Sequence, residues 1–295
     1  MATYQYHLVD VFTEEQFGGN QLAVFTHAEG LSDALMQKIA RELNLSESAF
    51  VFPPEQGGDF RVRFFTPQAE IPMAGHPTVG TAYVLRREGM IGAVPSVVFE
   101  EGVGPISVGL RDDGLITMQQ PAPQFGAIFD DRAAVAAMLS LTVDDLHSDY
   151  PVQAVSAGVG FVYVPVRNLA AMARIKLRLD LWEAQLKDTP APHVFAFCTE
   201  TQFDSSTVHS RMFSPAFGIA EDPATGAASG PLGAYLVRYG IVAKENASTI
   251  ISEQGVEMGR PSIIHIDVQM DADEITSVII GGRCAYMGRG ELYLD

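Results

Sequence analysis

The chain has little cysteine, few basic residues and no long apolar run, and each shortage closes off a class of function. Only Cys198 and Cys284 are cysteine among 295 residues. A disulfide scaffold is excluded, and so is a CxxC metal or redox motif. Lys and Arg total 19 against 36 Asp and Glu, a formal charge of −17. A nucleic-acid binder carries a basic footprint, and none is present. An acidic membrane surface would repel the chain. No stretch approaches about 18 uncharged apolar residues, so no membrane-spanning helix is expected. The opening Met1-Ala2-Thr3-Tyr4 has no basic region ahead of an apolar run, so no signal peptide is expected. The seven histidines are scattered, His193 and His209 being the nearest pair, and no HExxH, HxH or EF-hand spacing occurs. No metal site is expected from such spacing. Together these absences lead to the expectation of a soluble, acidic, cytoplasmic protein.

What is present is enough to fold. Hydrophobic residues make up 47% and charged residues 19%, which supplies a sizeable core and excludes disorder. The length suits one large domain or two ordinary ones. Strands are expected at Tyr4–Phe12, Gln21–Thr26, Ser48–Pro53, Phe60–Thr66, Val97–Glu100, Gly104–Leu110 and Leu115–Gln119. Ser32 is a good N-cap for an amphipathic helix over Asp33–Leu43. Thr78–Leu85 lacks charge until Arg86 and reads as a helix buried on all sides, with Pro77 in its first turn, His76 at its N-cap and Gly89 at its C-terminal cap. Gln120-Pro121-Ala122-Pro123 is the linker candidate. Beyond it, strands are expected at Val152–Ser156, Phe161–Val166, Val194–Thr199, Val208–Ser214, Ile250–Ser252, Ser262–Asp267, Ser277–Ile280 and Glu291–Leu294. Ala224–Val237 reads as a second uncharged helix. The alternating run Arg174–Leu179 reads as a solvated strand or helix edge.

The two halves resemble each other. Arg63-Phe64-Phe65-Thr66-Pro67 matches Arg211-Met212-Phe213-Ser214-Pro215. Glu70-Ile71-Pro72-Met73-Ala74-Gly75 matches Glu221-Asp222-Pro223-Ala224-Thr225-Gly226, and each run leads into an uncharged helix. A duplicated domain explains this economically. A site between such halves would face two helix N-termini. Gly75 and Gly226 there either bind a carboxylate through backbone N–H groups or serve packing alone. Glu47 enters an apolar strand, as a general acid/base or as a surface residue at a helix end. His76 is a proton donor, a substrate hydrogen bond or a simple cap. Asp222 is a site residue or a turn residue. There is no GxSxG, and neither Gly102-Val103-Gly104 nor Gly158-Val159-Gly160 completes a dinucleotide fingerprint.

Val9-Asp10-Val11-Phe12, Gly19-Asn20, Leu45-Ser46-Glu47-Ser48, Ala74-Gly75-His76-Pro77, Glu221-Asp222-Pro223-Ala224-Thr225-Gly226 and Gln254-Gly255-Val256-Glu257-Met258-Gly259-Arg260-Pro261 stand in the order of the PhzF-like phenazine-biosynthesis family, which the chain resembles over its whole length. The resemblance implies an α+β fold like that of diaminopimelate epimerase: two pseudo-symmetric halves, each a mixed or antiparallel sheet wrapped around a central buried helix. The halves would be 1–119 and 124–283, with a strand at about 284–295 returning to the first. It implies an isomerase without a cofactor or metal, moving a proton on a small carboxylate, and a homodimer. Glu47 would be the acid/base, with His76 and Asp222 hydrogen-bonding the substrate. Asn20 would help bind it, and Gly75, Gly226 and Ala227 would hold its carboxylate. Related epimerases face two cysteines across the site; here those neighbourhoods hold His76 and Ala227. Phenazine-pathway members carry Thr-Gly-Ser where this chain has Thr225-Gly226-Ala227. The missing hydroxyl leaves room for a different substrate. Two rival readings are a two-base epimerase using Glu47 and Asp222, and a non-catalytic binder of a small acid or a protein.

Overall fold

The computed structural model describes residues 2–294. They fall into two compact units, one reaching to Gln119 and resuming at Gly281, the other Gln120–Ile280. The first unit runs β1 (Ala2–Val11), β2 (Asn20–Phe25), α1 (Asp33–Leu43), β3 (Glu47–Phe52), β4 (Phe60–Phe65), β5 (Glu70–Ile71), α2 (Gly75–Arg87), β6 (Ser96–Glu101), β7 (Gly104–Leu110) and β8 (Ile116–Pro121). The second runs β9 (Gln124–Ile128), α3 (Arg132–Met138), β10 (Gln153–Ser156), β11 (Gly160–Pro165), α4 (Leu169–Met172), α5 (Leu179–Gln185), β12 (His193–Cys198), β13 (Val208–Ser214), β14 (Ile219–Asp222), α6 (Gly226–Arg238), β15 (Ile250–Gln254), β16 (Ser262–Asp271) and β17 (Glu274–Gly282). Strand β18 (Cys284–Leu294) then lies antiparallel to β1.

The pairings repeat. In the first unit β1–β2 is antiparallel, β2–β3 parallel, β3–β4 antiparallel, β4–β6 parallel and β6–β7 antiparallel, with β5 on β4. In the second, β10–β11 is antiparallel, β11–β12 parallel, β12–β13 antiparallel, β13–β15 parallel and β15–β16 antiparallel, with β14 on β13. Parallel neighbours need a crossover. Helix α1 provides it between β2 and β3, and α4 with α5 between β11 and β12. Helices α2 and α6 sit in the second crossover of each unit.

Side-chain details repeat too. Arg63 holds Glu70 through two hydrogen bonds of 2.7 Å, and Arg211 holds Glu221 at 2.7 and 2.8 Å. The ends of β6 and β15 also match: Glu100-Glu101-Gly102 against Glu253-Gln254-Gly255. A Cβ at Gly102 would lie 2.8 Å from Pro72 Cα, and one at Gly255 would lie 3.0 Å from Pro223 Cα. Only glycine permits those approaches. The family fold expected from sequence is therefore an α+β duplication in detail.

The cores follow from the apolar pattern. In α1, Met36, Ile39 and Ala40 are buried over Phe25, Phe50 and Phe65, and Ser32 caps the helix by accepting from the Leu35 N–H. Phe25 and Phe50 stack at 4.8 Å. Full burial of each such ring contributes about 1.5–3 kcal/mol. Helix α2 is buried from Gly75 to Leu85 except at Tyr83, and packs against β1, β2, β3 and β7. Helix α6 packs against β10 and β16, with Tyr235 among Tyr163, Phe197 and Tyr239.

Several local expectations are corrected. His76 is the second residue of α2, not its cap; Ala74 takes the cap position, because glycine and histidine both continue the helical turn. Arg174–Arg178 is a connection between α4 and α5, anchored by buried Ile175, and not a strand or helix edge. The C-terminal strand spans Cys284–Leu294 rather than only Glu291–Leu294. Its glycines hid it, yet a Cβ at Gly290 would lie 2.5 Å from the Tyr6 ring on β1. Among the described residues no helix is long and apolar enough to cross a membrane.

Candidate active site

Three expected residues of the first unit converge. Asn20 opens β2, Glu47 opens β3 and His76 lies in the first turn of α2. Glu47 pairs with Leu22 across the parallel β2–β3 ladder, which brings it to the end where Asn20 starts β2. His76 Nε2 is 3.4 Å from Glu47 Oε2, and His76 Nδ1 is 3.3 Å from Asn20 Nδ2. The imidazole is thus held on one nitrogen and faces a carboxylate with the other.

Burial decides the charge on this ring. His76 is 5% exposed, and its pKa is pushed down to about 3, chiefly by burial, with a hydrogen bond to the Gln21 backbone opposing the shift. The imidazole is neutral at physiological pH. A neutral ring can steer a hydrogen bond but cannot act as a standing cation. The Glu47 side chain keeps 13% exposure, enough to meet a small molecule. Gly75 starts α2, so the first N–H groups of the helix have no acceptor within it and carry its positive dipole end.

The second unit offers a different set. Asp222 ends β14 and is 6% exposed. Its Oδ2 accepts a 2.5 Å hydrogen bond from Thr225 Oγ1. Gln254 Nε2 donates to the Asp222 carbonyl at 2.7 Å and to Thr225 Oγ1 at 3.0 Å, while its Oε1 accepts from the Thr225 N–H at 3.1 Å. One amide therefore fixes the segment that leads into α6. Gly226 and Ala227 are the first two residues of that helix, in the positions Gly75 and His76 hold in α2. The second unit thus has a methyl group where the first has an imidazole.

Sequence reading assigned no role to Glu101 or to Gln254, although Gln254 opens the Gln254–Pro261 run that carries part of the family resemblance. Both end a strand beside a helix start. The matching Glu-Glu-Gly and Glu-Gln-Gly runs were the available signal. Neither thiol is activated: burial pushes Cys198 up to about 12 and raises Cys284 as well.

Residues 9–290 match the family described as phenazine biosynthesis-like protein. The chain is 36% identical to trans-2,3-dihydro-3-hydroxyanthranilate isomerase of Pseudomonas aeruginosa over 295 residues, covering 99% of this chain and 100% of the relative. The crystal structure of the Bacillus anthracis phenazine biosynthesis protein, PhzF family, superposes with a TM-score of 0.91 at 33% identity and full coverage of both chains. A hydroxyproline epimerase from Agrobacterium vitis shares the fold, with a TM-score of 0.63 at 13% identity over 99% of this chain and 93% of its own.

Proposed function

Since the chain belongs to the phenazine biosynthesis-like (PhzF) family and is an isomerase, we propose that it moves a proton on a small carboxylated substrate with Glu47 as the acid and base. The observation that carries this reading is the 3.4 Å approach of Glu47 to the buried, neutral His76. A carboxylate can take a proton from one carbon and return it to another without a cofactor. Neutral His76, held by Asn20, hydrogen-bonds the substrate and steers the carboxyl group. The N–H groups at Gly75 bind the substrate carboxylate, a role that the family resemblance also gives to those at Gly226 and Ala227. Asp222 hydrogen-bonds a polar substituent. With Ala227 in place of the serine of phenazine-pathway relatives, the substrate belongs to the same chemical class without being assigned to the same compound. A cytoplasmic homodimer is the assembly that the resemblance implies, and sedimentation velocity checks its stoichiometry.

The test uses trans-2,3-dihydro-3-hydroxyanthranilate and a panel of cyclic and amino-acid carboxylates in D2O. The wild-type protein is expected to place solvent deuterium on a carbon of at least one. Glu47→Gln keeps the shape and removes the base, and should lower incorporation about 10²–10⁴-fold. Incorporation by that variant near the wild-type rate overturns the assignment. Deuterium at a stereocentre with no movement of a double bond would favour the epimerase reading instead.

A further inference from the structure

The end of β6 carries a carboxyl group that this chemistry does not use. Glu101 is 7% exposed. Its Oε1 lies 2.6 Å from Thr78 Oγ1, and the same hydroxyl lies 2.6 Å from the carbonyl oxygen of Ala74. A hydroxyl has one hydrogen, and a carbonyl can only accept. Both contacts are full hydrogen bonds only when Glu101 donates to Thr78 and Thr78 donates to Ala74. The other carboxyl oxygen, Oε2, is buried with no hydrogen-bond partner, where a negative charge would be poorly solvated.

The charged neighbours leave no cation for it. The same depression is lined by Glu55, Arg61, Arg63, Glu70 and Glu100. Arg61 pairs with Glu55, and Arg63 with Glu70 and Asp33. Glu100, the preceding residue, takes three backbone N–H groups, from Glu55, Gln56 and Gly58. On α2, His76 lies two residues before Thr78 and is neutral. Burial lifts the Glu101 carboxyl to about 8.

The duplication supplies an internal control. By register Arg61 faces Glu100 across β4–β6, and His209 faces Glu253 across β13–β15, so Glu101 and Gln254 are counterparts. Ser229 Oγ donates to the Thr225 carbonyl at 2.9 Å, just as Thr78 donates to Ala74. At the counterpart position a neutral amide fixes the residue before the helix.

We propose that Glu101 works as a neutral carboxylic acid, a positioning residue that latches the first turn of α2 through Thr78 and Ala74 and so sets the placement of Gly75 and His76. Its consequence for turnover rests on the reading of His76 given above; the protonation and the latch do not.

The test uses the full chain labelled with [δ-13C]glutamate, as wild type, Glu101→Gln and Glu101→Leu. One wild-type carboxyl signal should titrate far above the ordinary carboxylate range and be missing from Glu101→Gln. Amide exchange at Thr78, Val79 and Gly80, corrected for base catalysis, should accelerate about tenfold in the wild type above that titration. It should stay flat with pH in Glu101→Gln, which can still donate to Thr78. In Glu101→Leu it should be fast throughout; if that variant does not fold, the other two proteins still decide. A missing signal that titrated in the ordinary range, or exchange that accelerates equally in Glu101→Gln, overturns the proposal. Should both readouts hold while Glu47→Gln remains active, the catalytic reading falls and the latch stands.

Discussion

At neutral pH the His76 ring carries no charge, because burial holds its pKa near 3, whereas His209 is held charged by two carboxylates. The same residue type therefore does opposite work in the two units, and no sequence rule separates them. Two adjacent glutamates diverge in the same way. Glu100 meets three N–H groups that keep its carboxyl below the usual range, while burial pushes Glu101 up, with one hydroxyl as its partner. Glu47 was legible because a carboxylate entering an apolar strand needs a reason. Glu101 was not, because Glu100-Glu101 reads as a solvated charge pair until the sheet register turns it inward. Ala227 stands at the start of α6, where phenazine-pathway relatives carry a serine. If the missing serine hydroxyl is what separates this protein from its phenazine-pathway relatives, Ala227→Ser restores one hydrogen bond of about 1 kcal/mol. Turnover of trans-2,3-dihydro-3-hydroxyanthranilate, as kcat/KM, should then rise about fivefold or more over the wild type. An unchanged or lower value removes Ala227 from the specificity argument.

At the scale of elements, legibility followed pattern length. Helix α1 was readable from Ser32 to Leu43 because its cap and its apolar stripe agree. Helices α2 and α6 were readable from their lack of charge. Helices α3, α4 and α5 have at most seven residues each, too short for a period to emerge, and only burial against β11–β13 settles them. The β13–β15 pair carries an ion cluster that no local pattern encodes. His209 Nδ1 is 2.7 Å from Glu253 and its Nε2 is 3.0 Å from Glu257. Burial lowers the ring's pKa, but the hydrogen bonds to both carboxylates outweigh it and raise it to about 9. A group raised in the folded state contributes stability fully below its unfolded pKa of about 6.5 and loses it as pH rises through the folded value. Glu253 and Glu257 are both lowered, so their contribution is present above the ordinary glutamate range and is lost as pH falls through their folded values. His209→Gln should therefore remove stability on the order of 3 kcal/mol at pH 6 and less at pH 9. Urea unfolding of both proteins across that range measures the difference. A loss that does not shrink with rising pH would show that the ring contributes packing rather than charge.

For the whole molecule, the excess of 36 acidic over 19 basic residues sets the dominant long-range term. The exposed pairs, such as Lys187 with Glu183 and Lys244 with Asp273, stand in solvent and contribute little. They cannot cancel the repulsion among the remaining carboxylates, which opposes the compact state. The buried pairs behave differently. Arg211 with Glu221 and His209 with Glu253 lie away from solvent, and salt weakens such pairs much less than exposed ones. Raising NaCl from 0.01 to 0.15 M shortens the screening length from about 30 Å to about 8 Å. Repulsion between distant surface charges is thereby reduced while the buried cluster is nearly untouched. The melting temperature should rise over this interval. Chloride is the salt to use, because sulfate or phosphate would stabilise by exclusion from the surface whatever the charge. A melting temperature that falls with NaCl would mean that attractive surface pairs outweigh the excess of acid, and the charge imbalance would then be locally compensated despite its size.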